Sequence, residues 1–158
     1  MNKPFSEFLL RFLNVFIPLF LVSNLYSQTI QVQTGQTYFA MNSSSKLENE
    51  QVSVNAFSIS ISTRSSFSVY AKVSNINSSS GVTMPASMLD IKLNTVSPSR
   101  SANYNTITLS TNNQRIIQST STGSGSVSYA YNLIVGPVGY DYPPGNQIFT
   151  ILLTTTSP

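Results

Sequence analysis

The sequence predicts an all-β protein: a single antiparallel β-sandwich of two sheets and about seven strands, following an N-terminal signal peptide. The main observation is that apolar and polar residues alternate, as in the segment Phe67–Ser74 and again in Leu89–Asn94. Successive side chains of a strand point to opposite faces of the sheet, so this alternation marks strands with one buried face. A second observation is that no amphipathic helical pattern follows the leader. Short strands without helices between them favour two packed antiparallel sheets.

The first 27 residues, Met1–Ser27, have the organisation of a signal peptide. Lys3 and Arg11 supply the basic start, and the apolar run Phe12–Val22 is shorter than the roughly 20 residues of a membrane-spanning helix. We expect cleavage after Ser27; an uncleaved membrane anchor is the alternative. No second long apolar run occurs, so we expect no stable membrane span after leader removal.

The mature chain, residues 28–158, is predicted to form one β-sandwich domain. Its 131 residues, the 158 of the chain less the 27 of the leader, are a common size for one domain. The chain has no Cys and therefore no disulfide, which favours a bacterial exported protein over a small disulfide-bonded extracellular domain. We expect it to be secreted, periplasmic or on the cell surface.

Seven strands and two short edge strands are predicted along the mature chain. The seven are Thr29–Thr34, Gln51–Thr63, Phe67–Ser74, Ser87–Val96, Thr106–Ser110, Ser124–Val135 and Gln147–Thr155. Short edge strands are predicted at Tyr38–Met41 and Gln114–Ser119, and a turn of helix at Pro85–Leu89. Gly, Pro and Asn between these segments mark the turns.

The second predicted strand changes its alternation part-way. Val52 and Val54 occupy even positions, whereas Phe57 and Ile59 occupy odd ones, so a regular strand cannot place all four on one face. An extra residue near Asn55-Ala56 would realign them, as in a β-bulge. The alternative is a bend that carries the strand from one sheet to the other.

The last predicted strand departs from alternation, because its apolar residues are nearly continuous over Ile148–Leu153. Such a run suits a strand covered on both faces, or one covered by a partner chain. The predicted core draws on all the strands, and its members are Phe57, Ile59, Val69, Leu89, Ile91, Leu93, Ile107, Tyr129, Leu133, Phe149 and Ile151.

The residue types that most catalytic and metal sites need are scarce. The chain has no His and no Cys, which excludes Ser-His-Asp and Cys-His catalysis and a zinc site. After the leader, four acidic and six basic residues leave a net charge of +2, and the basic residues are too scattered to form a nucleic-acid-binding face. Ser43, three residues before Lys46, lacks any second motif of a Ser-Lys enzyme. We therefore predict no catalytic residue, no metal site and no cofactor.

Two tyrosines in a Pro/Gly turn are the candidate ligand-binding residues. Tyr140 and Tyr142 precede Pro143-Pro144-Gly145, where exposed rings can stack on a sugar or on a partner surface. The structural alternative, which we favour, is that these rings cap the open end of the core.

Several segments together resemble the immunoglobulin-like β-sandwich modules of bacterial pilins and surface adhesins. They are the leader, Phe67–Ser74, the segment Met84–Leu89 leading into Asp90–Leu93, and the turn Tyr142-Pro143-Pro144-Gly145 before a final threonine-rich strand that ends in TTTSP. The resemblance implies a non-enzymatic structural or adhesion module of the cell surface. The chain departs from it in lacking the Cys pair of many pilins and the Cys…Trp…Cys arrangement of antibody domains.

Two functional hypotheses follow, with different partners. In the first, the module associates with itself or with other surface proteins by pairing of edge strands, and Ile30 and Val32 lie on the candidate strand for exchange between subunits. Pairing of that strand within its own domain is the default. In the second, Tyr140 and Tyr142 bind a glycan or another small ligand. A small outer-membrane β-barrel is a third alternative.

Overall fold

The computed structural model describes residues 29–34, 37–119, 122–123, 125–143 and 146–156, and the predicted leader lies outside them. Eight strands lie in this part of the chain. They are β1 (Thr29–Thr34), β2 (Gln51–Ser62), β3 (Phe67–Ser78), β4 (Leu89–Ser97), β5 (Thr106–Thr108), β6 (Gln114–Ser119), β7 (Val127–Val135) and β8 (Gln147–Thr156). A five-residue helix, α1 (Ser44–Glu48), and a 3-10 turn, Ala86–Met88, complete the regular structure of these residues.

The strands form two sheets in which every pairing is antiparallel. The large sheet has five strands in the order β1-β2-β7-β4-β5, and the small sheet has three in the order β6-β3-β8. The predicted all-β, antiparallel, two-sheet class is therefore confirmed.

Most of the predicted elements are present, with differences at the short ones. Gln114–Ser119 is strand β6, and the predicted turn of helix before the fourth long strand is the 3-10 turn at Ala86–Met88. The prediction of a strand at Tyr38–Met41 is wrong, because these residues have no regular structure. Helix α1 was not predicted; at five residues it is too short to show an amphipathic period.

The buried side chains of both sheets form one hydrophobic core. Along β3 the alternate residues Phe67, Val69, Ala71 and Val73 are buried, as their spacing predicts. Seven members of the predicted core are buried: Phe57, Ile59, Val69, Leu89, Ile91, Leu93 and Tyr129. The other four, Ile107, Leu133, Phe149 and Ile151, are partly buried and pack against it.

Tyr131 lies at the centre of this core and connects the two sheets. Its ring stacks on Phe57, with ring centres 5.2 Å apart and planes 9° from parallel. Its hydroxyl donates a hydrogen bond of 3.2 Å to the carbonyl oxygen of Ile116 in β6. Burial raises the pKa of Tyr131 well above its ordinary value of 10.0, because the charged phenolate would lose its hydration.

The register of β2 is irregular where the sequence predicts a bulge, but the predicted realignment of the two apolar sets is wrong. Val52 lies opposite Ile134 on the outer face and is 48 % exposed, whereas Phe57 lies opposite Tyr131 in the core. The register with β7 shifts between Ser53 and Phe57, and Asn55 has a φ of 52°, in the left-handed region that Asn tolerates better than most residues. β2 pairs with β7 on both sides of the bulge, so the alternative in which the strand changes sheets is wrong.

Three asparagines hold this bulge from the outer face of the large sheet. The Asn55 N–H donates to Oδ1 of Asn132 at 3.0 Å, and Nδ2 of Asn94 donates to Oδ1 of Asn55 at 2.9 Å. Asn94 itself lies where the β4–β7 register shifts, between Leu93 and Thr95. We call Asn55, Asn94 and Asn132 the amide ladder; it couples irregularities in two strands that flank β7.

Candidate functional site

Four strands of the described residues have one free edge each, and two of those edges are poorly suited to pairing. β5 spans only three residues. β6 carries the exposed Arg115 and a register shift opposite Val69 and Tyr70. Short length, charge and irregularity all discourage strand addition at a sheet edge. β1 and β8 are longer than β5 and contain no charged residue or Pro. The register of β8 with β3 shifts between Val73 and Asn75, but the extra residue lies on β3 and the alternation of β8 is unbroken.

β8 is the longer of the two uncharged edges, and its inner face is incompletely covered. Its residues Ile151 and Leu153 pair with Val73 and Ala71 of β3, and all four point into the core. The β3 side chains are at most 2 % exposed, whereas the β8 side chains remain only partly buried. The core is therefore thinner at β8 than one strand further in.

The outer face of β8 exposes two large apolar side chains. Ile148 is 59 % exposed and Leu152 is 43 % exposed, and Thr150 lies between them on the same face. Their neighbours on β3 are Asn77, opposite Ile148, and Lys72, opposite Leu152. β8 thus presents apolar side chains on both faces beside an unpaired edge of the backbone, and we call this strip, Gln147–Leu153, the β8 edge.

Hydrogen bonds fix the start of the β8 edge. The Gln147 Nε2 donates to Oγ of Ser78 and to the carbonyl oxygen of Val82, both at 2.8 Å. Its Oε1 accepts a hydrogen bond of 3.3 Å from the N–H of Met84. One side chain therefore attaches the beginning of β8 to β3 and to the segment that follows it.

The predicted exchange residues Ile30 and Val32 lie on β1, at the other uncharged edge. β1 pairs with β2 within the chain over six positions, with Ile30 opposite Ile61 and Val32 opposite Ile59. Ile30 packs against the core, and Val32 is 43 % exposed although it points to the inner side.

The two candidate ligand-binding tyrosines have different environments. Tyr142 is partly buried against the core, as the structural alternative expects. Tyr140 is 68 % exposed, and its hydroxyl donates a hydrogen bond of 3.1 Å to Oε1 of Glu48 at the end of α1. The N–H of Gly139 also donates to the carbonyl oxygen of Leu47, at 2.9 Å, so the turn is attached to α1 at two points. The structure separates the pair into one packing residue and one exposed aromatic.

Charged and cavity-forming features elsewhere are sparse. The described residues contain no group of three or more His, Cys, Asp or Glu side chains placed to hold a metal ion. A hollow of about 130 Å³, lined in part by Leu93, Arg115 and Tyr129, is small beside the roughly 300 Å³ of typical ligand pockets. Asp90 and Lys92 share a face of β4; one Asp90 oxygen is buried without a hydrogen-bond partner among the described residues, and Lys92 is exposed.

Sequence reasoning identified neither the β8 edge nor Glu48 as the partner of Tyr140. A signal for the first was present, since the nearly continuous apolar run Ile148–Leu153 departs from the alternation of the other strands. The second had none, because Glu48 and Tyr140 lie 92 residues apart.

No protein-family model, curated protein or solved structure matches this chain. Of the helices in the described ranges, neither has the length and apolar character needed to span a bilayer.

Proposed function

We propose that the protein is an exported, immunoglobulin-like β-sandwich that serves as a non-enzymatic structural or adhesion module of the cell surface. In this proposal Met1–Ser27 is removed as a signal peptide and residues 28–158 form the module. The observation that carries the proposal is the β8 edge: a long, uncharged strand that pairs with β3 on one side only among the described residues, with Ile148 and Leu152 exposed on its outer face.

An edge of this kind favours association through the backbone. Soluble proteins usually shorten, charge or cover their sheet edges, because an unpaired row of N–H and C=O groups is a template for another strand. β5 and β6 follow that rule, and β8 does not. Strand addition supplies main-chain hydrogen bonds, and the alternate side chains supply selectivity. A surface module whose role is to join chains has a use for such an edge.

The location in the cell tests this proposal. Intact cells of the producing organism are labelled with an amine-reactive reagent that does not cross membranes, and lysed cells serve as the reference. We expect the protein to be labelled on intact cells and to begin near residue 28 by mass spectrometry. Deleting its gene should reduce attachment or cell–cell aggregation, and restoring the wild-type gene should reverse the loss. A protein found only inside intact cells, with its leader retained, would refute the proposal.

A glycan-binding function is the second candidate, and the exposure of Tyr140 beside Glu48 favours it. Sugar sites combine an aromatic face with hydrogen-bonding groups at its rim, and Tyr140 with the Glu48 carboxylate offers both. Tyr140→Ala should then abolish binding on a glycan array without lowering the Tm by more than a few degrees. Tyr104→Ala is the matched control, since Tyr104 is also exposed and lies in another loop. If the wild-type protein binds no glycan on a broad array, this candidate is excluded.

A further inference from the structure

We propose that two copies of the protein pair through their β8 edges, antiparallel and about a twofold axis at Thr150, so that two three-stranded sheets become one sheet of six strands. This inference rests on the proposed function, because it assumes that edge pairing is what the module is for. It adds the partner, a second copy of the chain, and the register.

The edge itself is available for pairing. One side of β8 pairs with β3 from Ser68–Thr156 to Ser78–Gln147, with one register shift between Val73 and Asn75, and no described strand occupies its other side. A strand added there would cover the partly buried Phe149, Ile151 and Leu153 from the side. It would also continue a sheet that is otherwise narrower, at three strands, than its five-stranded neighbour.

The positions of the apolar residues select the register. With Thr150 opposite Thr150 of the second copy, Ile148 lies opposite Leu152 of the second copy on the outer face. On the inner face Phe149 then lies opposite Ile151 of the second copy. Side chains directly opposite in an antiparallel pair are about 5 Å apart and in contact.

Other registers lose this match. Because side chains alternate with a period of two, the smallest shift that keeps both outer faces on one side is two residues. In one direction that shift places Ile148 opposite Thr154 and Leu152 opposite Thr150. In the other direction it places Ile148 opposite Thr150 and Leu152 opposite Asn146. The register centred on Thr150 is therefore the one in which both exposed apolar side chains, Ile148 and Leu152, meet each other.

Charge is compatible with this arrangement. β8 has no charged residue, and the nearest charge on its outer face belongs to Lys72, which lies opposite Leu152 on β3. In the proposed register the row that contains Lys72 continues through Leu152 and Ile148 of the second copy to Asn77 of the second copy. Lysine thus faces asparagine across three strand spacings, about 14 Å, and no like charges are brought together.

The β8 strand of a second copy is a better partner for the β8 edge than the β1 strand of a second copy. With Ile30 and Val32 turned toward the inner side, β1 would place its glutamines Gln31 and Gln33 on the outer face, beside Ile148 and Leu152. β8 of a second copy places Ile148 and Leu152, four positions apart with Thr150 between them, opposite the Leu152 and Ile148 of the first copy.

The pairing is tested by sedimentation of the processed protein over a concentration series that reaches about 1 mM. An interface of one strand pair is at the small end of specific interfaces, so we expect a weak, reversible dimer. Ile148→Lys and Leu152→Glu, each alone, should raise the Kd about tenfold or more, because every substitution enters the interface twice and buries a charge against an apolar side chain. Both side chains are exposed in the single chain, so both variants should fold, which circular dichroism checks.

The double variant Ile148→Lys/Leu152→Glu tests the register. In the proposed pairing Lys at position 148 faces Glu at position 152 of the second copy, twice, so the dimer should return and should weaken again at high salt. The double variant Ile148→Lys/Leu152→Lys should stay monomeric. Val52→Lys is the control for added charge, since Val52 is an exposed apolar residue on β2 of the large sheet.

Four outcomes would overturn the inference. The first is a wild-type protein that stays monomeric throughout the series, and the second is a dimer that neither single variant weakens. The third is a double variant Ile148→Lys/Leu152→Glu that does not restore the dimer. The fourth is loss of the dimer in Val32→Lys, on β1, with no loss in Ile148→Lys. Any of these leaves the proposed surface function standing if labelling of intact cells succeeds. Failure of the labelling refutes that function whatever the sedimentation shows.

Discussion

The left-handed residue in β2 allows a sharp test of what the amide ladder contributes. Asn55 has a φ of 52°, and its side chain accepts the hydrogen bond from Asn94. Replacing it with Val introduces a β-branched residue that is strained in this conformation, at a cost of about 1–2 kcal/mol. The lost hydrogen bond adds about 0.5–1 kcal/mol at this exposed position. We expect Asn55→Val to lower the free energy of unfolding by about 2 kcal/mol.

Asn55→Gly is the matched control, because glycine loses the same hydrogen bond but adopts a φ of 52° without strain. We expect it to cost about 0.5 kcal/mol. Urea denaturation followed by circular dichroism measures the free energy of unfolding of both variants. In thermal unfolding, the Tm of Asn55→Val should be lower than that of Asn55→Gly by roughly 5 °C or more. If Gly and Val are equally destabilising, the bulge is maintained by the hydrogen bond rather than by backbone conformation, and the reasoning is refuted.

Three further outcomes are expected. Tyr131→Phe should cost about 1 kcal/mol at pH 7, since the Ile116 carbonyl loses its donor. It should also reduce the loss of stability above about pH 10. Burial raises the pKa of Tyr131 in the folded protein, so in the wild type this tyrosine ionises in the unfolded chain first and favours unfolding. An unchanged urea midpoint at pH 7, together with an unchanged fall of stability with rising pH, would contradict this. Gln147→Ala should cost about 2 kcal/mol, because three hydrogen bonds at the start of β8 are lost together, whereas Gln118→Ala, at an exposed position, should be near neutral in the same urea titration. Asp90→Val should raise stability by about 1 kcal/mol by removing a buried oxygen without a partner, and a lower Tm would show that this oxygen is satisfied by solvent.

Alternation predicted the inner faces of the strands well. The odd positions of β3 from Phe67 to Val73 are buried because a period of two leaves one choice of face once Phe67 and Val69 are inside. The same rule located the irregularity near Asn55 but not its effect: β2 advances four residues from Ser53 to Phe57 while β7 advances two, so the odd positions stay on the inner face and Val52 stays exposed. These features depend on neighbours along the chain, which a sequence displays directly.

Gln114–Ser119 was predicted as an edge strand and lies at an edge as β6, but the sheet order and the edge position of β8 were not predicted, for a physical reason. Which strand lies at an edge depends on pairings between distant segments, such as β3 with β8, and a single sequence does not record them. The apolar run Ile148–Leu153 showed that β8 is unusual, but a strand buried on both faces and an edge strand awaiting a partner share that composition. The different environments of Tyr140 and Tyr142 likewise depend on α1, which at five residues is too short to show a helical pattern in the sequence.

The order of the strands also constrains how the chain reaches its native state. β2 pairs with β7 and β3 pairs with β8, and hydrogen bonds between these strands join residues 77 and 76 positions apart in the sequence. These pairings of early strands therefore form only after the late strands are available. Such non-local pairing is slow, because the entropy of closing a long loop is lost before the contacts that stabilise the pair have formed. A polypeptide that emerges from a secretion channel amino end first would have β3 without β8, one of its two neighbours, until the final strand arrives. During that interval a binding factor that shields β3 should raise the yield of native protein.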